Sequence, residues 1–147
     1  MVLHYGMIVL DTSVIISALY SKNGQSNKLL YHCLNGDIEY ALTPLLLWEY
    51  IGKVEEKIDE KIFSITKKTA NTIFNRLLEI SNMIYQPILN RPILPDVSDD
   101  KILECAISSN SSHIITYNIS HFPKTILSQY YIKASLPKSF IRKEKLL

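Results

Sequence analysis

The sequence predicts an α/β protein: a three-layer α/β/α sandwich around a mostly parallel central sheet of about five strands. Two observations carry this. A short unbroken apolar run, "MIVL" at Met7–Leu10, is the mark of a strand buried on both faces. Segments with helical apolar spacing separate the candidate strands, and strands alternating with helices fold into a parallel sheet with helices on both sides.

The elements follow in order. "MIVLD" is the first strand, and Val14–Tyr20 is a short helix ending in the polar loop "SKNGQS". Ser26 is placed to cap a helix running to about Leu34, stopped by "NGD". Ile38–Leu42 is a second strand. Thr43-Pro44 has the form of an N-cap followed by proline at the first helical position, opening a helix through "LLLWEYIGKVEEKI". An amphipathic helix spans about Thr66–Asn82, with Ile73, Leu77, Leu78 and Ile80 as its apolar positions. "MIYQPI" is a third strand and "LNRPILPDV" a proline-rich loop. Ser98 is positioned to cap a helix over Asp99–Ser108. His113–Thr116 and "YYIKAS" are the fourth and fifth strands, and "PKSF" opens a short closing helix.

With 147 residues the chain fits one domain, residues 1–147, with a core over about 7–140 and a frayed basic tail at 141–147. A hydrophobic content of 47% is that of a globular chain. Sixteen basic against fourteen acidic residues leave only +2, a balance compatible with a nucleic-acid partner but not diagnostic of one. Cys33 and Cys105 have no metal-type spacing and read as buried thiols of a reducing compartment. The start "MVLHYG" lacks a basic region and a cleavage site, and no apolar run approaches a membrane span. The expected location is the cytoplasm, without membrane attachment.

Function enters through Asp11. In parallel α/β sheets ligands bind beyond the carboxyl ends of the strands, and Asp11 ends the first one. Three other polar features fall at element ends that converge on it. Glu49 lies about one turn into the helix after strand two. Asp96, Asp99 and Asp100 cluster at the start of the helix before strand four, and Asn118 follows that strand in "TYN". Crowded carboxylates repel and have raised pKa values unless a cation sits among them. An oxygen-only donor set suits Mg²⁺ or Mn²⁺, and the natural chemistry of such a site is metal-assisted phosphodiester hydrolysis. Asp99 stands three, four and seven residues before Ile102, Leu103 and Ala106, on the stripe facing the sheet. Asp100 aligns with the more mixed face of Glu104 and Ile107. Asp99 is therefore the preferred ligand, Asp100 a helper and Asp96 the least favoured.

Taken singly, each residue has a plainer role. Asp11 before Thr12 and Ser13 is a helix cap; Asp99 complements a helix dipole; Glu49 pairs with Lys53 at i+4; Asn118 is a turn residue. Their recurrence on one rim is what favours a site.

The four positions, in this order, resemble the PIN-domain family of metal-dependent nucleases. "VLDTSVIISAL" around Asp11 is similar to that family's opening, an apolar run followed by Asp-Thr-Asn. "LLLWEYIGKV" around Glu49 is similar to its second acidic position. "DVSDDKILECAISSNSSHIITYNISHF" is similar to its third acidic helix, strand and T-x-D/N-x-x-x-F turn. The likeness extends over about Met7–Phe140 and is nearest to the bacterial toxin branch, VapC-like proteins included.

The resemblance implies an α/β/α endoribonuclease, the toxin of a bacterial toxin–antitoxin pair, using Mg²⁺ or Mn²⁺. Carried over by position, Asp11 and Asp99 are the principal metal ligands. Glu49 binds metal through water or orients the nucleophile, and Asn118 fills the fourth catalytic place. Thr12, Ser13, Thr116 and Asp100 are helpers. It further implies an RNA substrate, a cognate antitoxin and a homodimer. The chain departs from the pattern at two places: Ser13 stands where Asn is frequent, and Asn118 replaces an aspartate, removing a charge that a second metal needs more than the first.

Lys22, Lys53, Lys57 and His121 are placed to contact phosphates, and Tyr117 or Tyr20 to stack on a base. Trp48, if exposed beside Glu49, is placed to anchor an antitoxin segment; packed in the core, it is not. An Asp-nucleophile phosphatase is disfavoured because position 13 is serine, and a receiver domain because "HIITYN" supplies no lysine. The stronger rival is a catalytically weak or inactive module of the same fold that binds RNA or protein.

Overall fold

The computed structural model describes residues 6–88 and 93–144. Five strands, all parallel, alternate with helices: β1 (Ile8–Leu10), β2 (Ala41–Leu42), β3 (Asn82–Met83), β4 (His113–Ile115) and β5 (Lys133–Ser135). The helices are α1 (Thr12–Tyr20), α2 (Gln25–Leu34), α3 (Pro44–Asp59), α4 (Lys67–Ile80), α5 (Asp100–Ser108), α6 (Lys124–Leu127) and α7 (Pro137–Lys143). The α/β class expected from the alternation is the class the chain adopts.

The sheet is less continuous than a single five-stranded ladder. β1, β4 and β5 form one ladder with β4 in the middle, and β2 and β3 form another. One parallel bridge, Ile8 to Tyr40, joins them in the order β3-β2-β1-β4-β5. The break follows from the brevity of β2, which Thr43 and Pro44 convert into α3 after two residues.

Several element boundaries differ from expectation: β2 covers Ala41–Leu42 rather than Ile38–Leu42, α1 starts at Thr12 rather than Val14, and three others have identifiable reasons. β3 is shorter than "MIYQPI" because Tyr85 and Ile88 are exposed and Pro87 has no amide proton to continue the ladder. β5 begins at Lys133 because Tyr131 adopts a left-handed backbone (φ 60°) that closes the preceding turn. α7 runs through Lys143, since Ile141 is buried rather than part of a frayed tail. Residues 89–92 of the proline-rich loop, 1–5 of the lead and 145–147 of the tail lie outside the described residues.

Caps also moved. Thr43 caps α3 as expected, accepting the Leu46 amide. Gly24, not Ser26, precedes α2, and Ser26 is buried with its hydroxyl 2.6 Å from Tyr117 Oη. A short 3-10 turn, Val97–Asp99, precedes α5, and Asp96 caps it by accepting the Ser98 amide at 2.9 Å. Ser98 itself caps nothing.

The core gathers around β1, whose three residues are fully buried. α3 buries Leu46, Tyr50 and Val54 at i, i+4 and i+8, and α4 buries Ala70, Phe74 and Leu77. The α4 stripe thus passes through Ala70 and Phe74, leaving Leu78 exposed. Tyr50 Oη donates to the Leu10 carbonyl, so α3 is pinned to the carboxyl end of β1. Cys33 and Cys105 are buried free thiols. No described helix is long and apolar enough to cross a membrane.

Candidate metal site at the carboxyl rim

Asp11 leaves the sheet with its amide still in the ladder, donating to the Ile115 carbonyl at 2.9 Å. The side chain, 5% exposed, occupies the N-cap position of α1 yet makes no cap hydrogen bond to that helix. Its Oδ2 instead accepts from Thr116 Oγ1 at 2.6 Å and from Ser13 Oγ at 2.9 Å. Strand pairing explains the first contact: Leu10 is in register with Ile115, so the next residues of both strands meet at the rim. Thr116 Oγ1 also accepts the Asn118 amide at 2.9 Å, and Ser13 Oγ accepts the Tyr117 amide at 3.3 Å. The segment after β4 is thereby bound to the segment after β1. Asn118 enters through its backbone; its exposed side chain makes no hydrogen bond among the described residues.

Glu49 projects from α3 toward the same rim. Thr12 donates its hydroxyl to Oε2, and Lys101 Nζ lies 3.0 Å from Oε1. The expected partner, Lys53, pairs with Glu56 instead. Lys101, in the first turn of α5, was not recognisable as part of the site from the sequence, where it is one lysine after two aspartates.

Asp99 ends the 3-10 turn with its side chain 14% exposed, and its Oδ2 is 3.0 Å from His121 Nδ1. Burial raises its pKa above the ordinary carboxylate value; the charges of Asp11 and Asp96 add to the rise, and His121 opposes it. Asp99 and Asp11 thus feel one another across the rim. Asp96 is exposed and held below its ordinary pKa by the hydroxyl and amide of Ser98. Asp96, Asp99 and His121 each offer one ligand atom, all within 4.8 Å of one another. An imidazole therefore stands beside a donor set expected to hold oxygen only, and Asp96 lies closer to it than its ranking suggested.

Asp100 does not reach this group. It is fully buried, and its carboxylate accepts the Leu94 amide at 2.9 Å and the Ile93 amide at 3.3 Å, tying the preceding loop to α5. Helical facing favours Asp99 over Asp100; the structure leaves Asp99 beside His121 and buries Asp100 against the preceding loop. The polar residues further out are less engaged. Lys22 is exposed, Lys57 pairs with Glu60 at 3.9 Å, and Tyr20 and Trp48 are exposed. Trp48, at 79% exposure, is no part of the core. Tyr117 is half-exposed, with its hydroxyl between Ser26 and Ser17.

The donor chemistry fits a divalent cation. Asp11 and Asp99 each give only Oδ2 to a protein donor, and their Oδ1 atoms have no partner among the described residues. Two carboxylate oxygens without protein donors, one of them on Asp99, whose proton affinity burial and the neighbouring Asp11 charge raise, are what a hard cation relieves.

Comparison with known proteins agrees with this architecture. Residues 7–120 match the family described as the PIN domain. No curated protein matches the chain. Among solved structures, the crystal structure of PAE2754 from Pyrobaculum aerophilum is similar, with 12% identity, a TM-score of 0.56, and 97% of this chain and 91% of that one covered. VapBC2 from Rickettsia felis, solved bound to a DNA fragment from their promoter, is similar with 17% identity and a TM-score of 0.53, covering 88% of this chain and 98% of that one. Likeness at these identities concerns the fold. With the PIN match spanning most of its length, the chain belongs to the PIN-domain family.

Proposed function

We propose that this chain is a divalent-cation-dependent endoribonuclease, the toxin of a bacterial toxin–antitoxin pair. The observation that carries it is the convergence of Asp11 and Asp99 on one rim, each with a carboxylate oxygen unclaimed by the protein. Membership of the PIN-domain family supports nuclease chemistry, and the fold likeness to VapBC2, itself solved with promoter DNA, supports the toxin role. The protein works as one domain in the cytoplasm, as a homodimer paired with an antitoxin.

Asp11 and Asp99 would hold the cation, Mg²⁺ or Mn²⁺, and Asp99 orients His121 beside them. When bound, the ion lowers the pKa of a water and offsets charge on the phosphate. Thr116 and Ser13 fix the Asp11 carboxylate so that its free oxygen faces the site. Thr12 and Lys101 hold the two oxygens of Glu49, from where it would orient the attacking water, and Asn118 would contact substrate from the fourth place. Lys22, Lys53 and His121, all exposed, meet phosphates of the RNA.

A second reading, a catalytically silent module that binds RNA or protein, is favoured by the uncharged Asn118 and by Glu49 being tied to a lysine. Incubation of RNA with the purified protein separates the two. Cleavage that needs Mn²⁺ or Mg²⁺, stops with EDTA and is lost in Asp11→Asn and Asp99→Asn supports the nuclease. Undiminished cleavage by both variants would exclude this mechanism. RNA affinity without cleavage would establish the binding module.

A further inference from the structure

We propose that Lys101 is a built-in second cation of the site, with Glu49 as its counter-ion, so that the site takes one divalent ion and not two. This rests on the metal site described above and specifies its stoichiometry.

Lys101 differs from the ordinary lysines of this surface. Lys53 and Lys57 pair with glutamates at 3.8 and 3.9 Å along α3, with side chains 55% and 33% exposed. Lys101 has a side chain 15% exposed, lies 3.0 Å from Glu49 on another helix, and donates also to the Ser98 carbonyl. Anchoring at two acceptors from separate elements fixes the ammonium in place. The Ser98 contact sets it beside the turn that carries Asp99, so it stands between the second and third acidic positions.

The consequence for Glu49 is that both its oxygens are engaged, Oε2 by Thr12 and Oε1 by Lys101. Asp11 and Asp99 each keep one oxygen free. Charge points the same way. Asp11, Glu49 and Asp99 carry three negative charges; Lys101 removes one, and a single divalent ion balances the remainder. Asn118 adds no charge, and Asp96 is exposed to water and bonded to Ser98. A second divalent ion would have to displace the ammonium from Glu49 against like-charge repulsion. With the ammonium in that place, charge building on the phosphate is met from the Glu49 side by a fixed group that needs no recruitment.

Counting bound Mn²⁺ by calorimetry and by the resonance signal of the free ion tests this. The wild type is expected to bind one Mn²⁺. Lys101→Met, which keeps the apolar stem, frees Glu49 and is expected to bind two, while Lys101→Arg keeps one. Glu49→Gln in the wild-type background, which needs no change at Lys101, should leave Mn²⁺ affinity within about twofold, whereas loss of a true metal partner costs about tenfold or more. Melting in EDTA verifies that each variant is folded. One Mn²⁺ in both wild type and Lys101→Met, two in the wild type, or a tenfold loss in Glu49→Gln would overturn the role of Lys101 while leaving the metal site standing. No uptake by any of the proteins would remove the metal site itself, and this role with it.

Discussion

Thr116 donates its hydroxyl to the Asp11 carboxylate at 2.6 Å, joining the carboxyl ends of two strands that are neighbours in register. The carboxylate is almost fully enclosed, so this donor supports a charge that burial would otherwise penalise. Thr116→Val preserves shape and removes the donor. Ser13 still donates, so the expected loss is about 1.5–3 kcal/mol, the range for a hydrogen bond to a charged group. Urea unfolding in EDTA measures it. Mn²⁺ affinity should fall in the same variant, because Asp11 is no longer held in one orientation.

Asp99 and Asp100 are adjacent and do opposite work. The Asp100 carboxylate accepts two backbone amides from Ile93 and Leu94 in a fully buried position. Asp100→Ala strands both donors, and a cost of about 2–4 kcal/mol is expected from the loss of two charge-assisted bonds partly offset by relaxation. Thermal melts should show that loss for Asp100→Ala and none for Asp99→Asn, while of these two variants only Asp99→Asn should fail to bind Mn²⁺.

Asp99 also makes a pH prediction. Its folded-state pKa lies above the ordinary 3.8, first because burial disfavours the charge and then because Asp11 and Asp96 repel it, with His121 opposing. The folded protein holds this proton to higher pH than the unfolded chain does. Stability contributed by the group is therefore present below 3.8 and is lost as pH rises through the higher folded value. Asp99→Asn cannot lose it. In EDTA, the variant should gain on the wild type as pH climbs through that window and keep the advantage above it. Saturating Mn²⁺ should reverse the order, since it stabilises only the protein that binds it. Parallel melting curves of the two proteins would reveal a crossing or its absence.

What the sequence disclosed and what it concealed divide along a physical line. Asp11 was legible because a carboxylate at the tip of a buried strand conflicts with its neighbours, and Asp99 because helical spacing places it over the apolar stripe of Ile102, Leu103 and Ala106. Both signals are local. Lys101 meeting Glu49, and His121 meeting Asp99, join residues far apart in the chain. Neither partner has a local pattern that differs from a surface charge. The same limit explains Ser26: its place before a helix suggested a cap, but its hydroxyl belongs to Tyr117, from the far side of the sequence. β3 and β5 were overextended because apolar composition persists through Tyr85 and Tyr130, while Pro87 and the left-handed Tyr131 set where pairing stops.

The two thiols supply a check on the packed core. Cys33 and Cys105 are both fully buried; burial pushes the Cys105 thiol up to about 12 and Cys33 further still, with Asp37 adding to the latter. The thiolate is the reactive form, so neither should react with an aromatic disulfide reagent in the folded protein at neutral pH. Both should react at once in guanidinium. Prompt reaction of one thiol in native buffer would mean that its surroundings open locally.

Trp48 sits next to Glu49 in sequence but faces water, at 79% exposure, whereas Tyr50 on its other side is buried against β1. One helix thus sends Glu49 to the rim, Tyr50 to the core and the only tryptophan of the chain outward. Removing a largely exposed indole costs little, so Trp48→Ala should unfold within about 0.5 kcal/mol of the wild type. The same exposure makes Trp48 a reporter: its emission should be that of a solvated indole and open to acrylamide quenching in the free protein. A partner that docks beside Glu49 should shield it, and the affinity of that partner should drop in Trp48→Ala. Equal affinity of such a partner for both proteins would place its contact elsewhere on the surface.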